Sequence, residues 1–279
     1  MISRRLRIVF ALAIALAPIP QAWAQQKSIL VASTTSTEDS GLFSHILPLF
    51  KQQTGIDVRA VGLGTGQAID AARRGNVDVL FVHAREAEEK FITEGFGVQR
   101  YPVMYNDFIL VGPDSDPAGV KGARHVGFAL KTIKDRQAPF VSRGDRSGTH
   151  IAEIALWKAV GINIEKEAGR WYKSVGQGMG ATLNVAAGMG AYALSDRGTW
   201  LAFKNKADLV IAVEGDKLLF NQYDAILVSP DRYPHVKKEL GQRFIDWLIS
   251  VEGQKAIAGY KVDGEPVFWP QDPGAASIQ

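Results

Sequence analysis

The chain has 279 residues, with 32 Lys and Arg against 29 Asp and Glu, a formal net charge of +3 and no cysteine. Without cysteine it has neither a disulfide framework nor a thiolate metal site. Arginines near the start of the chain account for the whole positive excess, so the remainder is formally neutral and a polycationic nucleic-acid-binding surface is not indicated. The length suffices for one large domain or two smaller ones.

Residues 1–24 have the pattern of a cleavable signal peptide. A basic start with Arg4, Arg5 and Arg7 precedes an apolar run from Ile8 to Ala17 and a small-x-small cleavage site, Ala22-Trp23-Ala24. The pair Arg4-Arg5 suggests export by the twin-arginine route, but Arg7 interrupts the apolar residues expected after such a pair. Ordinary secretion is therefore favoured. We expect a periplasmic protein without a lipid anchor, because no cysteine ends the signal.

The first predicted strand, Ser28 to Ala32, runs into five consecutive hydroxyl residues at 33–37, which we call the first loop. Apolar residues between Leu42 and Phe50 then recur at helical spacing, and Ser36 with Asp39 is an acceptable capping pair. One or two hydroxyls would suffice for a cap. Either the others face a ligand, or this is a hydroxyl-rich turn.

A second strand, Ile56 to Val61, leads to a glycine loop and a helix from Ala68 to Arg73; residues 64–67 are the second loop. The loop lacks the third glycine of a dinucleotide fingerprint and the Lys-Ser/Thr of a P-loop. Its glycines allow backbone N–H groups to approach a ligand, or simply form a tight turn.

A continuous apolar strand from Val77 to Val82 is typical of a buried parallel sheet, and His83 and Arg85 follow at its carboxyl end. A histidine there is more often structural than a metal ligand. A helix is predicted from Arg85 to Glu94 and a strand from Val103 to Val111. The cluster from Gly112 to Pro117 then predicts a crossing between lobes.

The second half repeats this scheme, with a helix near Ala123 to Lys134 and a strand from Ala138 to Val141. Residues 142–149, the third loop, carry two arginines and several hydroxyls, and a helix follows through Val160. Ser147 or Thr149 is the natural N-cap. The free N–H groups of a helix start and the positive end of its dipole favour an anion, although an ordinary capped helix would look the same.

A strand from Trp171 to Val175 leads to the fourth loop, residues 176–182, and a short helix. Glycine spacing in this loop, with Asp196 about twenty residues on, matches a weak dinucleotide fingerprint, which we discount because no mononucleotide half precedes it. Strands are predicted at Tyr192 to Leu194, Leu209 to Val213 and Tyr223 to Val228, the last being the return crossing. A helical tail that ends near Gly253 should pack back on the first lobe.

The four loops predict one site. If both lobes are α/β units with mostly parallel sheets flanked by helices, the loops lie at the carboxyl ends of their strands and face each other across a cleft. Neutral donors would then disperse the charge of an anion, and Arg143 would supply the formal countercharge in a forked geometry, oriented by Asp145. The predicted division is residues 25–112 plus 223–279 for lobe one and 113–222 for lobe two. Such binding needs neither an enzymatic reaction nor a cofactor.

These loops resemble those of periplasmic tungstate-binding proteins of ABC importers, over nearly the whole mature chain. The resemblance implies a two-lobed type II periplasmic binding fold that captures tungstate and delivers it to a membrane permease. It also implies a set of residues around the oxyanion: Thr34, Thr35, Ser36, Thr65, Arg143, Ser147, Thr149, Met179 and Gly180. The family's first motif is usually Thr-Thr-Thr-Ser, whereas here Ser33 precedes Thr34, which shifts the first-loop assignments by up to one residue.

Other anions and one other class of protein are alternatives. Phosphate keeps a proton near neutral pH and needs an acceptor, whereas tungstate, molybdate and sulfate need donors only. Only the family resemblance favours tungstate over molybdate. A hydrolase using Ser147 with His150 or His83 is disfavoured, because no Gly-x-Ser-x-Gly elbow is present. We expect a monomer that binds no nucleic acid and no metal cation.

Overall fold

The computed structural model describes residues 27–271, so the predicted signal peptide at 1–24 lies outside the described residues. Within that part of the chain, no helix combines the length and the apolar character needed to cross a membrane.

The first third of the chain alternates strands and helices. Its elements are β1 Ser28–Thr34, α1 Thr35–Asp39, α2 Leu42–Thr54, β2 Asp57–Leu63, α3 Thr65–Arg73, β3 Val79–Val82, α4 Arg85–Thr93 and β4 Gly97–Pro113. The single helix predicted after the first loop is in fact two, because Gly41 adopts a left-handed φ of +83° between α1 and α2. A left-handed residue cannot continue a right-handed helix, and glycine adopts it without steric cost.

The middle of the chain repeats the alternation with shorter strands. Its elements are α5 Val126–Asp135, β5 Phe140–Ser142, α6 Gly148–Ala159, α7 Ile164–Glu167, β6 Tyr172–Ser174, α8 Met179–Met189, β7 Ala193–Asp196, α9 Arg197–Ala202 and β8 Leu209–Val213. The helix after the fourth loop, α8, begins at Met179 and is longer than the short segment predicted.

The last part of the chain returns to the first core. Its elements are a 3-10 helix Lys217–Leu219, β9 Phe220–Val228, α10 Lys238–Leu248, α11 Val251–Ala258, β10 Lys261–Val262, β11 Glu265–Pro266 and β12 Trp269–Pro270. Gly253, which the sequence predicts beyond the tail helix, lies inside α11. A Cβ there would lie 1.9 Å from the carbonyl oxygen of Trp247, so only glycine lets the turn before α11 pack this closely.

The main sheet is mixed. Strand β1 pairs in parallel with β2 and β3, whereas β9 is antiparallel to β3 and to β4. In the other part of the molecule β5 and β6 are parallel, while β7 and β8 run antiparallel to the far end of β4. The expectation of parallel sheets therefore holds for β1 to β3 and for β5 with β6. Of these strands, β1, β2, β5 and β6 lead into the four loops in that order.

Apolar side chains form one large core and two smaller ones. The large core packs β1, β3 and β9 against α2, α3 and α10, and we call this body lobe one. The two smaller cores pack α5, α6 and α8 around β5 and β7, and we call this body lobe two. Two long strands, β4 and β9, connect the lobes.

The chain changes lobes inside these two strands. In β4, Met104 belongs to the core of lobe one, whereas Phe108 belongs to that of lobe two. The first crossing therefore lies several residues before the Gly112 to Pro117 cluster, which is an ordinary turn at the end of β4. On the return, Leu219 packs in lobe two and Tyr223 in lobe one, which places that crossing at the start of β9.

Candidate oxyanion-binding site

The first loop leaves the carboxyl end of β1 as a cluster of buried hydroxyls. Thr34 Oγ1 lies 3.0 Å from Ser36 Oγ and 2.7 Å from Thr37 Oγ1, and it accepts the Thr37 N–H at 3.3 Å. Thr34 is therefore the N-cap of α1, and the predicted capping pair of Ser36 with Asp39 is not the one formed. Because Ser36 is released from capping, its hydroxyl is available to other partners. Thr35, half-buried, begins the helix.

His83 completes this hydroxyl cluster from the end of β3. Its Nε2 lies 3.2 Å from both Thr34 Oγ1 and Ser36 Oγ, and its ring stacks on Tyr223 with centroids 4.5 Å apart. Burial, and secondarily the charge of Arg143, lower the pKa of His83 to about 4. The ring is therefore neutral near pH 7. Sequence reasoning treated this histidine as structural, whereas the structure places it among the first-loop hydroxyls.

The third loop turns Arg143 inward. Its guanidinium is only 3% exposed and donates to Asp145 Oδ2 from Nη2 at 2.6 Å and from Nε at 3.2 Å. The other Asp145 oxygen accepts the Ser147 N–H at 3.1 Å. Burial alone would raise the pKa of Asp145, but hydrogen bonds from Ser147 and the charge of Arg143 hold it below its usual value. The expected contact between Arg143 and Asp145 is present, and it fixes the orientation of the guanidinium.

Helix α6 begins directly behind this arginine. Ser147 is its N-cap, as one of the two sequence alternatives predicted, and Ser147 Oγ accepts the His150 N–H at 3.3 Å. Thr149 is 1% exposed, and its hydroxyl has no hydrogen-bond partner among residues 27–271. A buried donor without a protein partner is costly unless a ligand or water satisfies it.

A nucleophile and base pair is not formed at Ser147. The His150 ring accepts the backbone N–H of Arg146 through Nδ1 at 3.0 Å, and His83 contacts the first loop instead. Within the described part of the chain, Ser147 Oγ therefore makes no hydrogen bond to either ring. Nucleophilic catalysis by Ser147 would require a hydrogen bond between its hydroxyl and a histidine ring. The observed geometry therefore disfavours the hydrolase interpretation.

The second loop meets α6 across the lobes. Thr65 is the first residue of α3, and its Oγ1 accepts the Gly148 N–H at 2.8 Å. Gly148 also packs against His83 so closely that an added Cβ would lie 2.7 Å from the ring carbon Cε1. Gly64, the N-cap of α3, provides no side-chain cap, so the first N–H groups of α3 remain open to a ligand.

The fourth loop lies beside the third. The N–H groups of Val175 and Gln177 donate to the carbonyls of Ser142 and Arg143, at 3.0 Å and 3.2 Å. Helix α8 then starts at Met179 with Gly178 as an N-cap that makes no side-chain hydrogen bond. The Met179 side chain is buried in the apolar core of lobe two, so only its backbone N–H, like that of Gly180, can face a ligand.

Asp196, the acidic residue of the weak dinucleotide fingerprint, has another partner. It caps α9 by accepting the Thr199 N–H at 2.8 Å and the Thr199 hydroxyl at 2.7 Å, and it is fully buried. Its carboxylate is therefore already satisfied within the fold. In residues 27–271, moreover, no group of three or more His, Asp or Glu side chains could hold a metal ion.

Donors from both lobes thus meet where Thr65 contacts Gly148, in the same loop region as the buried Arg143. The structure brings the four loops near one another: the first contacts His83, which packs against Gly148 of the third, the second accepts the Gly148 N–H through Thr65, and the third is hydrogen-bonded to the fourth. Sequence reasoning placed His83 at the end of its strand but assigned it no role at the site, and it missed the partner of His83, Asn221, which is 138 positions away. Chemically, hydroxyls, open helix N-termini and a guanidinium suit an oxyanion.

Comparison with known proteins gives the family. The profile of the PBP superfamily domain matches residues 20–252. The tungstate-binding protein TupA of Peptoclostridium acidaminophilum is 46% identical over 247 residues, which cover 87% of this chain and 85% of that protein. The range matched by the family profile includes all four loops.

Solved structures of related proteins support the same family. The tungstate-binding protein TupA from Desulfovibrio alaskensis G20 superposes with a TM-score of 0.79 at 46% identity, covering 88% of this chain and 99% of that one. The tungstate ABC transporter protein from Geobacter sulfurreducens gives a TM-score of 0.77 at 46% identity, covering 84% and 98%. The chain belongs to the PBP superfamily and, within its two-lobed type II fold, to the family of TupA tungstate-binding proteins.

Proposed function

We propose that this protein captures tungstate between its lobes and delivers it to the permease of an ABC importer. The observation that carries the proposal is the junction of Thr65 with Gly148 beside the buried Arg143, where donors from both lobes meet. The relatives named above are described as binding tungstate, and the shared family supports the same ligand here.

We assign the oxyanion contacts to the residues that the resemblance implied. Hydroxyls from both lobes and the Arg143 guanidinium would donate from side chains, and Met179 and Gly180 from their backbone N–H groups. The side-chain hydroxyls are those of Thr34, Thr35, Ser36, Thr65, Ser147 and Thr149. The unpartnered hydroxyl of Thr149 and the uncapped starts of α3 and α8 support this assignment, because each leaves a donor for a ligand.

The chemistry of these groups favours a deprotonated anion. The carboxylate paired with Arg143, that of Asp145, already accepts from Arg143 and Ser147, so it is not free to accept a proton from a ligand such as hydrogen phosphate. Each charge-assisted hydrogen bond contributes about 1.5–3 kcal/mol, so several in a dehydrated cleft give tight binding after ordering costs. The choice of tungstate over molybdate rests on the relatives.

We further propose how the molecule is arranged and where it acts. The sequence predicts lobes of 25–112 plus 223–279 and of 113–222, and we move the first crossing back to between Met104 and Phe108. The lobes would close around the anion by bending at β4 and β9. Cleavage of residues 1–24 would release the protein, as a monomer, into the periplasm. It would transport its ligand without transforming it, since Ser147 serves as a helix cap.

Anion selectivity tests the proposal. Thermal unfolding is measured with tungstate, molybdate, sulfate and phosphate, each at the same concentration, and calorimetric titration gives the affinities. Selective binding raises the unfolding free energy by RT ln(1 + [L]/Kd). We expect a large rise in Tm with tungstate and little change with phosphate. Equal shifts with all four anions, or a shift with phosphate alone, would refute it.

A further inference from the structure

His83 lies in a chain of hydrogen bonds that runs from the cleft into lobe one. On one side its Nε2 is 3.2 Å from the hydroxyls of Thr34 and Ser36. On the other side its Nδ1 is 3.0 Å from Asn221 Oδ1. Asn221 Nδ2 in turn donates to Asn106 Oδ1 at 2.8 Å. All of these groups are buried, so each hydrogen bond in the chain constrains the next.

The donors and acceptors in this series of hydrogen bonds depend on one another. When Asn221 is oriented with its oxygen towards the ring, that oxygen can only accept, so His83 must carry its proton on Nδ1 and leave a lone pair on Nε2. Burial lowers the pKa of His83 to about 4, so a second proton does not bind near neutral pH. Nε2 must then accept a hydrogen from Thr34 or Ser36. A hydroxyl has only one hydrogen, and one donated to His83 is not available to an anion.

The same side chains can also form these hydrogen bonds with the donor and acceptor roles exchanged. Rotation of a side-chain amide by 180° exchanges its oxygen and nitrogen, so Asn221 can donate to Nδ1 instead, with Asn106 donating to Asn221. Asn106 Nδ2 has no hydrogen-bond partner among residues 27–271, and this reversal gives it one. His83 would then carry its proton on Nε2 and donate to the hydroxyl oxygens, which frees their hydrogens to point into the cleft.

We propose that His83 is a positioning residue that sets the direction of the first-loop hydroxyls, and that oxyanion binding selects the arrangement with the proton on Nε2. An anion stabilises this arrangement because only then do both hydroxyls donate to it. The ring holds one proton before and after, so the change takes up and releases none. The inference rests on the proposed function, since it requires the anion to meet Thr34 and Ser36.

The position of the ring proton tests this directly. Protein labelled with 15N-histidine is studied by long-range proton–nitrogen NMR with and without tungstate, and the His83 signals are assigned from their loss in His83→Gln. We expect the proton on Nδ1 in the free protein and on Nε2 with tungstate. If tungstate raises Tm but the proton stays on the same nitrogen, this inference is wrong and the function stands. If tungstate leaves Tm unchanged, both fail.

Variants add a second readout. His83→Phe keeps a ring over Tyr223 but removes both nitrogens, and we expect tungstate affinity to fall about tenfold, the value of one hydrogen bond. His83→Gln keeps a donor that can reach the hydroxyls and should lose less than His83→Phe. The matched control is His45→Gln, in lobe one, where the ring packs at a tilt against Tyr260 instead; this variant should bind like the wild type. Unchanged affinity in His83→Phe, or an equal loss in His45→Gln, would overturn the proposal.

Discussion

The amide nitrogen of Gly148 lies 2.8 Å from Thr65 Oγ1, which joins the first turn of α6 in lobe two to the start of α3 in lobe one. Because the hydroxyl accepts this N–H, its own hydrogen is free to be donated onward. A hydroxyl that accepts and donates at once is polarised, which strengthens the bond that it gives. The contact therefore links the two lobes and leaves Thr65 with a hydrogen that it can donate to a ligand.

Replacing Thr65 by valine tests that relationship. Thr65→Val has nearly the same shape but cannot accept from Gly148 or donate to an anion. We expect tungstate affinity to fall about 10- to 100-fold, since a hydrogen bond to a charged group contributes about 1.5–3 kcal/mol. Calorimetric titration measures this, with Thr93→Val at the exposed end of α4 as control. Equal affinities for the two variants would contradict the assignment.

We propose that Arg143 supplies the formal countercharge, so reversing its charge should abolish binding. We expect Arg143→Glu to lose measurable tungstate affinity, because it removes the forked donor and adds a repelling carboxylate next to Asp145. Arg146→Glu is the matched control, since it makes the same charge change at an exposed side chain of the same loop. Titration calorimetry, with circular dichroism to verify folding, distinguishes them. A folded Arg143→Glu with unchanged affinity would refute this role.

Gly148 is needed for close approach. In Gly148→Ala the new Cβ would lie 2.7 Å from His83 Cε1, too close for either group to stay in place. We expect weaker tungstate binding and a larger radius of gyration with ligand in solution scattering, because the lobes cannot close fully. Gly188→Ala, in α8 with open space around the added atom, serves as control. Full closure of Gly148→Ala would show that the contact does not limit closure.

Glu153 should make stability depend on pH. It is buried in α6, where its Oε1 accepts from Trp157 Nε1 at 3.1 Å and from Tyr172 Oη at 2.7 Å. Burial outweighs these bonds and raises the pKa of Glu153 from 4.5 to about 7. The folded state therefore holds a proton that the unfolded state has lost, and stability falls as pH rises from about 4.5 to about 7.

The variant Glu153→Gln stays neutral and removes this dependence. Relative to wild type it should gain stability as pH rises, by up to about 3 kcal/mol at pH 8. Urea unfolding of both proteins at pH 5, 6, 7 and 8 gives the difference. The other carboxyls whose pKa values are raised, those of Asp39, Glu88, Asp196 and Asp224, are present in both proteins and cancel in this difference. A difference that does not change with pH would contradict the prediction.

Local features of the site could be predicted from the sequence. The Arg143 and Asp145 contact and the Ser147 cap join residues two or three positions apart, where chain geometry leaves few alternatives. Parallel strands β1, β2 and β3 bring their carboxyl ends to one edge, so the convergence of the first two loops and His83 also follows from the pattern.

Other features depend on distant partners. The partners of His83, Thr34 and Asn221, lie 49 and 138 positions away, and no local pattern connects them. Thr34 rather than Ser36 caps α1 because β1 extends two residues beyond its predicted end. The crossing inside β4 was missed for a similar reason, since one continuous strand pairs with β9 at one end and with β7 and β8 at the other.

The most direct test of the central claim is anomalous X-ray diffraction from crystals grown with tungstate, because tungsten gives a strong signal at a single atom. We predict one peak between the two lobes, within hydrogen-bonding reach, through its oxygens, of the Thr34 and Thr65 hydroxyls on one side and of Arg143 and Thr149 on the other. A tungsten peak bound outside this cleft, or held by one lobe alone, would contradict the account.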